Sequence, residues 1–94
     1  MIGERVRKLR ENHSILLRQL AAKLEMDTAM LSKMERGDRF FRKEDIEALA
    51  TFFGQPRQDM LSLWLADKIV KTVANEEYPI EALEIALKTI KDER

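Results

Sequence analysis

Three glycines and two prolines in ninety-four residues leave this chain little besides helix to fold into. The few breakers mark most of the joints, and between them apolar residues recur at helical spacing, so an all-α chain of six helices is predicted. Ile2, Val6 and Leu9 sit at i, i+4, i+7 and define a first helix over 2–12. After the polar break Asn12-His13-Ser14, the residues Leu17, Leu20, Ala21 and Leu24 mark a second over 16–24. Asp27 has the chemistry of an N-cap for a third over 28–35, with Gly37 as its left-handed stop. Glu44 and Asp45 open a fourth, whose apolar face is Ile46, Leu49, Ala50 and Phe53 and whose end is Gly54 and Pro56. A fifth starts at Arg57 or Gln58, and its apolar positions from Met60 to Ala74 are too many for one stripe, so it is expected to bury two faces. Pro79 suits the first position of a sixth, with Ile80, Leu83, Ala86, Leu87 and Ile90 as its stripe.

This length supports one modest core. A boundary is expected near residue 56, between a unit over 1–56 and a helical extension over 57–94. The chain has no cysteine and a single histidine, His13. Disulfides, thiolate chemistry and a multi-histidine metal site are therefore excluded, and no cofactor or metal is expected. No apolar run reaches membrane-spanning length, and Met1 to Arg10 alternates charged and apolar residues instead of forming a signal stretch. A cytoplasmic protein without membrane contact is expected. No nucleophile with its base, phosphate-cradling loop or pocketed carboxylate pair is recognisable, so no enzymatic activity is expected.

The net charge of zero conceals an asymmetry. Residues 1–43 carry eleven Lys and Arg against six Asp and Glu, a balance of +5, while residues 44–94 carry six against eleven, a balance of −5. A basic front half can meet phosphate while an acidic back half stays clear of it.

Between Leu17 and Arg36 lie two short helices joined by the turn Glu25-Met26-Asp27, with apolar residues at Leu20, Ala21, Leu24, Met26, Leu31 and Met34. This is helix-turn-helix spacing, and Ala21 is small enough to let the second helix cross the first closely. The runs Leu20-Ala21-Ala22-Lys23-Leu24 and Leu31-Ser32-Lys33-Met34-Glu35-Arg36-Gly37 resemble the phage repressor and Cro-like regulators, also called the XRE type, over roughly Ile2 to Phe53. Two positions depart from that pattern. Leu16 and Leu17 stand where the family has Ser or Thr followed by Gln, and Glu25 stands where the turn commonly has glycine, which costs about 1 kcal/mol at positive φ.

The resemblance implies a sequence-specific regulator, a repressor or autoregulator, that binds double-stranded DNA as a homodimer on a near-palindromic operator. It implies that Thr28, Ala29, Ser32 and Lys33 face the bases. The Lys33 ammonium would meet guanine O6 and N7, and the methyls of Thr28 and Ala29 would meet thymine. Arg36, Arg39, Arg42 and Lys43 would grip phosphate at and after the end of the reading helix, and Arg18 would do so with the backbone amides of helix 2. Phe40 and Phe41 are expected to anchor this loop to the core. Arg10 and Glu35 are expected to form an internal ion pair tying helix 1 to the reading helix. The dimer interface is expected in the tail, at Trp64, Leu65, Ile69, Val73, Leu83, Leu87 and Ile90. An antitoxin whose acidic tail binds a partner protein, or a controller of a restriction-modification operon, fits the same residues.

Overall fold

A computed structural model describes every residue from Met1 to Arg94 and contains helices only: α1 Ile2–Asn12, α2 Leu17–Lys23, α3 Thr28–Arg36, α4 Lys43–Phe52, α5 Arg57–Val73 and α6 Pro79–Glu93. Each of the five connections contains one left-handed residue: Ser14 (φ 55°), Glu25 (55°), Gly37 (85°), Gly54 (62°) and Tyr78 (59°). Three of these corners are made without glycine, at about 1 kcal/mol each. Glu25 adopts the positive φ that its place in the turn requires.

Helices α1 to α4 and the first half of α5 enclose one core of fifteen buried apolar residues. Val6, Leu20, Leu31, Ile46 and Leu49 are fully buried at its centre. At Gly3 the backbone of α1 lies directly against that of α3. A β-carbon on Gly3 would stand 2.6 Å from the Glu35 carbonyl oxygen and closer still to that of Met34. No side chain fits there, and the glycine lets the α1 backbone rest on the end of α3.

The core does not stop at residue 56. Met60 and Trp64 of α5 are buried in it, and the Trp64 indole Nε1 donates to the Phe41 carbonyl at 2.8 Å. Two expectations change here. Trp64 is a core residue of its own chain and not part of an outer face, because a buried indole needs an acceptor and the loop carbonyl of Phe41 supplies it. Within the chain α5 buries one face and not two: Met60, Trp64 and Asp67 turn inward, while Leu65, Ile69 and Val70 stay 42–52% exposed.

Helix α6 buries no residue. The radius of gyration is 15.1 Å and the extents are 42 × 28 × 21 Å, against about 12 Å expected for a compact chain of this length. The excess reflects a tail that extends away from the core.

Candidate nucleic-acid interface

Both ends of α3 are fixed by local bonds. Asp27 Oδ1 accepts from the Met30 amide at 2.7 Å, and beyond the left-handed Gly37 the Gly37 and Asp38 amides return to the Met34 and Lys33 carbonyls. These bonds satisfy groups that a helix end leaves open. Leu31 and Met34 bury the inner side. Thr28, Ala29 and Lys33 are left exposed on the outer side, with Ser32 half-buried beside them. The Ser32 hydroxyl is already engaged, accepting from Arg36 Nη1 at 2.7 Å.

Helix α2 packs against α3 with Ala21 only 1% exposed. At the start of α2 no side chain caps the first-turn amides; instead the Leu16 amide donates to Gln19 Oε1 at 2.8 Å. The exposed Arg18 stands on this first turn. Nearby, a cleft of about 300 Å³ brings Arg7, Arg10 and Arg36 together with Leu17, Ser32 and Glu35.

Arg10 and Glu35 form a two-point ion pair, Nε to Oε2 at 2.9 Å and Nη2 to Oε1 at 3.1 Å. Arg10 Nη1 also donates to the Ile15 carbonyl at 3.0 Å. One guanidinium thereby joins α1, the α1–α2 turn and α3. The two side chains are only 13% and 5% exposed. The hydrogen bonding of Arg10 to the Glu35 carboxylate is the main reason the Arg10 pKa lies above its ordinary value, and it outweighs the opposing effect of burial. The fork geometry of Arg suits this two-point contact.

The segment after α3 is held from behind by α5. Phe41 is buried, whereas Phe40 is 43% exposed, so only one of the adjacent pair anchors the loop. Trp64, Lys68 and Lys71 recur at i, i+4, i+7 on α5 and face this segment together. Besides the Trp64 bond to Phe41, Lys71 Nζ donates to the Gly37 carbonyl at 2.7 Å. The Lys71 and Lys68 ammonium groups lie 4.8 and 5.8 Å from the Phe40 ring centroid, and Lys68 lies 4.1 Å from that of Trp64. None of these α5 contacts is visible in periodicity, although a lone Trp whose N–H needs an acceptor was a usable signal.

The basic residues of this surface fall into two groups. Arg42 is tied down: its Nε and Nη2 donate to Asp45, which also accepts from the Arg42 backbone amide. The Asp45 hydrogen bond leads the upward shift of the Arg42 pKa. Arg36 is shared between Ser32 and Asp38. Arg18, Lys33, Arg39 and Lys43 are exposed and take no part in the chain's seven ion pairs.

The other residues expected at the tail surface lie outside the core. Leu65, Ile69, Leu87 and Ile90 are 42–55% exposed. Val73 and Leu83 are half-buried and line an apolar groove between α5 and α6, with Ile69, Ala82 and Ala86. No cluster of three or more His, Cys, Asp or Glu is placed to hold a metal ion. No helix is long and apolar enough to cross a membrane.

No curated protein and no solved structure matches the chain. Among protein families, residues 2–63 match the one described as helix-turn-helix domain. That stretch runs from the start of α1 to the part of α5 that enters the core, and it contains α2, the Glu25 turn and the outward face of α3. With more than half of its length matched, the chain belongs to the helix-turn-helix domain family.

Proposed function

We propose that this chain is a sequence-specific transcriptional regulator without enzymatic activity, acting as a homodimer on a near-palindromic operator. It presents α3 to the major groove, with Thr28, Ala29, Ser32 and Lys33 toward the bases. The observation that carries this reading is the division of α3 into two sides. Its inner side is fixed by the core, two end caps and the Glu35 ion pair. Its outer side offers a small hydrophobic step, Thr28 and Ala29, beside the unpaired ammonium of Lys33.

Arg18 on one flank and Arg39 with Lys43 on the other supply free cations for phosphate. Arg42 and Arg36 contribute less to that grip, since carboxylates or hydroxyls of the same chain already hold them. Two reading helices about 34 Å apart would each meet one half-site.

Selection from randomised duplex DNA tests the reading. The wild-type protein is expected to enrich a two-fold-symmetric site. Lys33→Ala is expected to lose preference at one base pair per half-site, with thermal stability unchanged. Recovery of no motif by the wild-type protein would refute sequence-specific binding, and an unchanged motif with Lys33→Ala would remove Lys33 from the reading set.

A further inference from the structure

We propose that the occupant of the exposed α6 face is the α6 helix of a second copy of this chain, lying antiparallel to the first. The inference rests on the dimeric reading above and specifies its geometry. Ile80, Leu83, Leu87 and Ile90 follow one another at intervals of three, four and three, the spacing of a two-helix seam. Ile80, Leu87 and Ile90 are 60%, 55% and 53% exposed, and Leu83 sits half-buried at the edge of the groove of about 320 Å³ between α5 and α6. On α5 the exposed Leu65, Ile69 and Val70 add to the apolar surface. Together these residues leave on the order of several hundred square ångströms of apolar surface open, which a lone soluble chain rarely tolerates in one patch.

Charge and geometry select the partner and its direction. From Glu76 to Glu84 the chain carries four carboxylates, Glu76, Glu77, Glu81 and Glu84, and no cation; the bases Lys88, Lys91 and Arg94 come only afterwards, where they outnumber Asp92 and Glu93. A parallel pair would set the four carboxylates of one copy against the four of the other. An antiparallel pair brings the acidic start of each helix to the end bearing Lys88 and Lys91, and it also opposes the two helix dipoles. The seam spacing then pairs Ile80 with Ile90 of the second copy and Leu83 with Leu87 of the second copy, about an axis near residue 85. Such a contact is self-complementary and closed, as a two-fold dimer requires.

The chain has no cysteine of its own, so disulfide trapping in the full-length protein reads the register directly. The double variant Ile80→Cys, Ile90→Cys is expected to oxidise to a covalent dimer. Within one helix the two positions are about 15 Å apart and cannot close on themselves. Ile80→Cys alone is expected to remain uncrosslinked. In sedimentation at micromolar concentration the wild-type protein is expected to be a dimer, and Leu87→Asp is expected to weaken self-association by roughly thirtyfold or more with helical content retained.

A covalent dimer of Ile80→Cys alone would overturn the antiparallel direction. A monomeric wild-type protein, or a Leu87→Asp variant that still sediments as a dimer, would overturn the surface itself. A gel shift on the selected DNA is a separate readout. A trapped antiparallel dimer that binds no DNA leaves the α6 pairing standing and removes the operator reading, whereas a monomer that binds DNA does the reverse.

Discussion

Helices α3 and α6 are both short and amphipathic, yet they end in opposite situations. Helix α3 buries Leu31, Met34 and Glu35 in its own chain; α6, which is longer, buries nothing. An apolar stripe is half of an interface. For α3 the other half is supplied by α1, α2 and the core, and polar contacts fix the alignment: the Asp27 cap, the Gly37 stop and the Arg10 fork. Helix α6 shares a groove with the end of α5, and no hydrogen bond in the chain joins a side chain of α6 to another helix. The α3 region is therefore specified within one chain, while α6 keeps an apolar face that its own chain leaves uncovered, the face assigned above by proposal to a second copy.

Trp64 belongs to the tail by position in the chain and to the core by burial. Trp64→Ala removes a buried indole and leaves the Phe41 carbonyl without its donor, so a loss of about 3–5 kcal/mol is expected. That is a large share of the stability of a domain of this size and lowers the melting temperature by roughly 15 °C or more. Leu87→Ala in α6 is expected to change unfolding of the core by less than about 0.5 kcal/mol. Denaturant titrations of both variants at low protein concentration check the contrast, and equal losses would erase the distinction between the two regions.

A second, smaller effect concerns the ion pair that joins α1 to α3. Glu35→Ala leaves Arg10 with its solvent contact reduced and its main acceptor gone. The expected cost is about 3 kcal/mol, the lower end for a broken buried pair because Arg10 keeps some exposure and its bond to the Ile15 carbonyl. Glu81→Ala, an exposed carboxylate on α6, is expected to stay within about 0.5 kcal/mol of wild type. If Glu35→Ala proved equally silent in thermal unfolding, the pair would not be holding α3 in place.

Gly3→Ala is distinguished by sign. In an ordinary helical position alanine stabilises relative to glycine by up to about 1 kcal/mol. Here the added carbon meets two carbonyl oxygens of α3, and a loss of about 1–3 kcal/mol is expected. A variant more stable than wild type would show that α1 can move off α3 freely.

These residues also show where sequence reasoning stops. The six helices fall within a residue or so of their expected bounds, because breakers and the 3.6-residue period are local signals. The Asp27 cap, the left-handed Glu25 and the left-handed Gly37 are legible for the same reason: each is decided within one turn of chain. The burial of Met60 and Trp64 is different. Periodicity names the faces of α5 but not the neighbour each face meets, so the face that enters the core looked no different from the one left outside. Gly3 sits in a helical run with nothing nearby in sequence to reveal the carbonyls of Met34 and Glu35 above it. The same gap separates the free cations from the tied ones. Arg39 and Arg42 look alike in sequence, and only the folded loop shows that Asp45 already holds one of them.

That last difference leads to the smallest expected effect, which bears on DNA and not on stability. Each free cation that neutralises a phosphate on binding contributes about 0.9 to the slope of log affinity against log salt. Arg39 has no ion-pair partner in the chain, so Arg39→Ala is expected to lower the slope by about one and to weaken cognate and unrelated duplexes alike. Arg42 must first give up Asp45, or share its charge with it, and the net change on reaching phosphate is smaller; Arg42→Ala is expected to lower the slope by clearly less. Lys91, in the acidic half of the chain and on α6, is expected to leave the slope unchanged when replaced by Ala. Filter-binding titrations over a range of salt concentrations separate the three. Equal slopes for Arg39→Ala and Arg42→Ala would mean that Asp45 releases its arginine at no cost, and a lowered slope for Lys91→Ala would bring the tail onto the DNA and undo the division between the region that reads and the region that pairs.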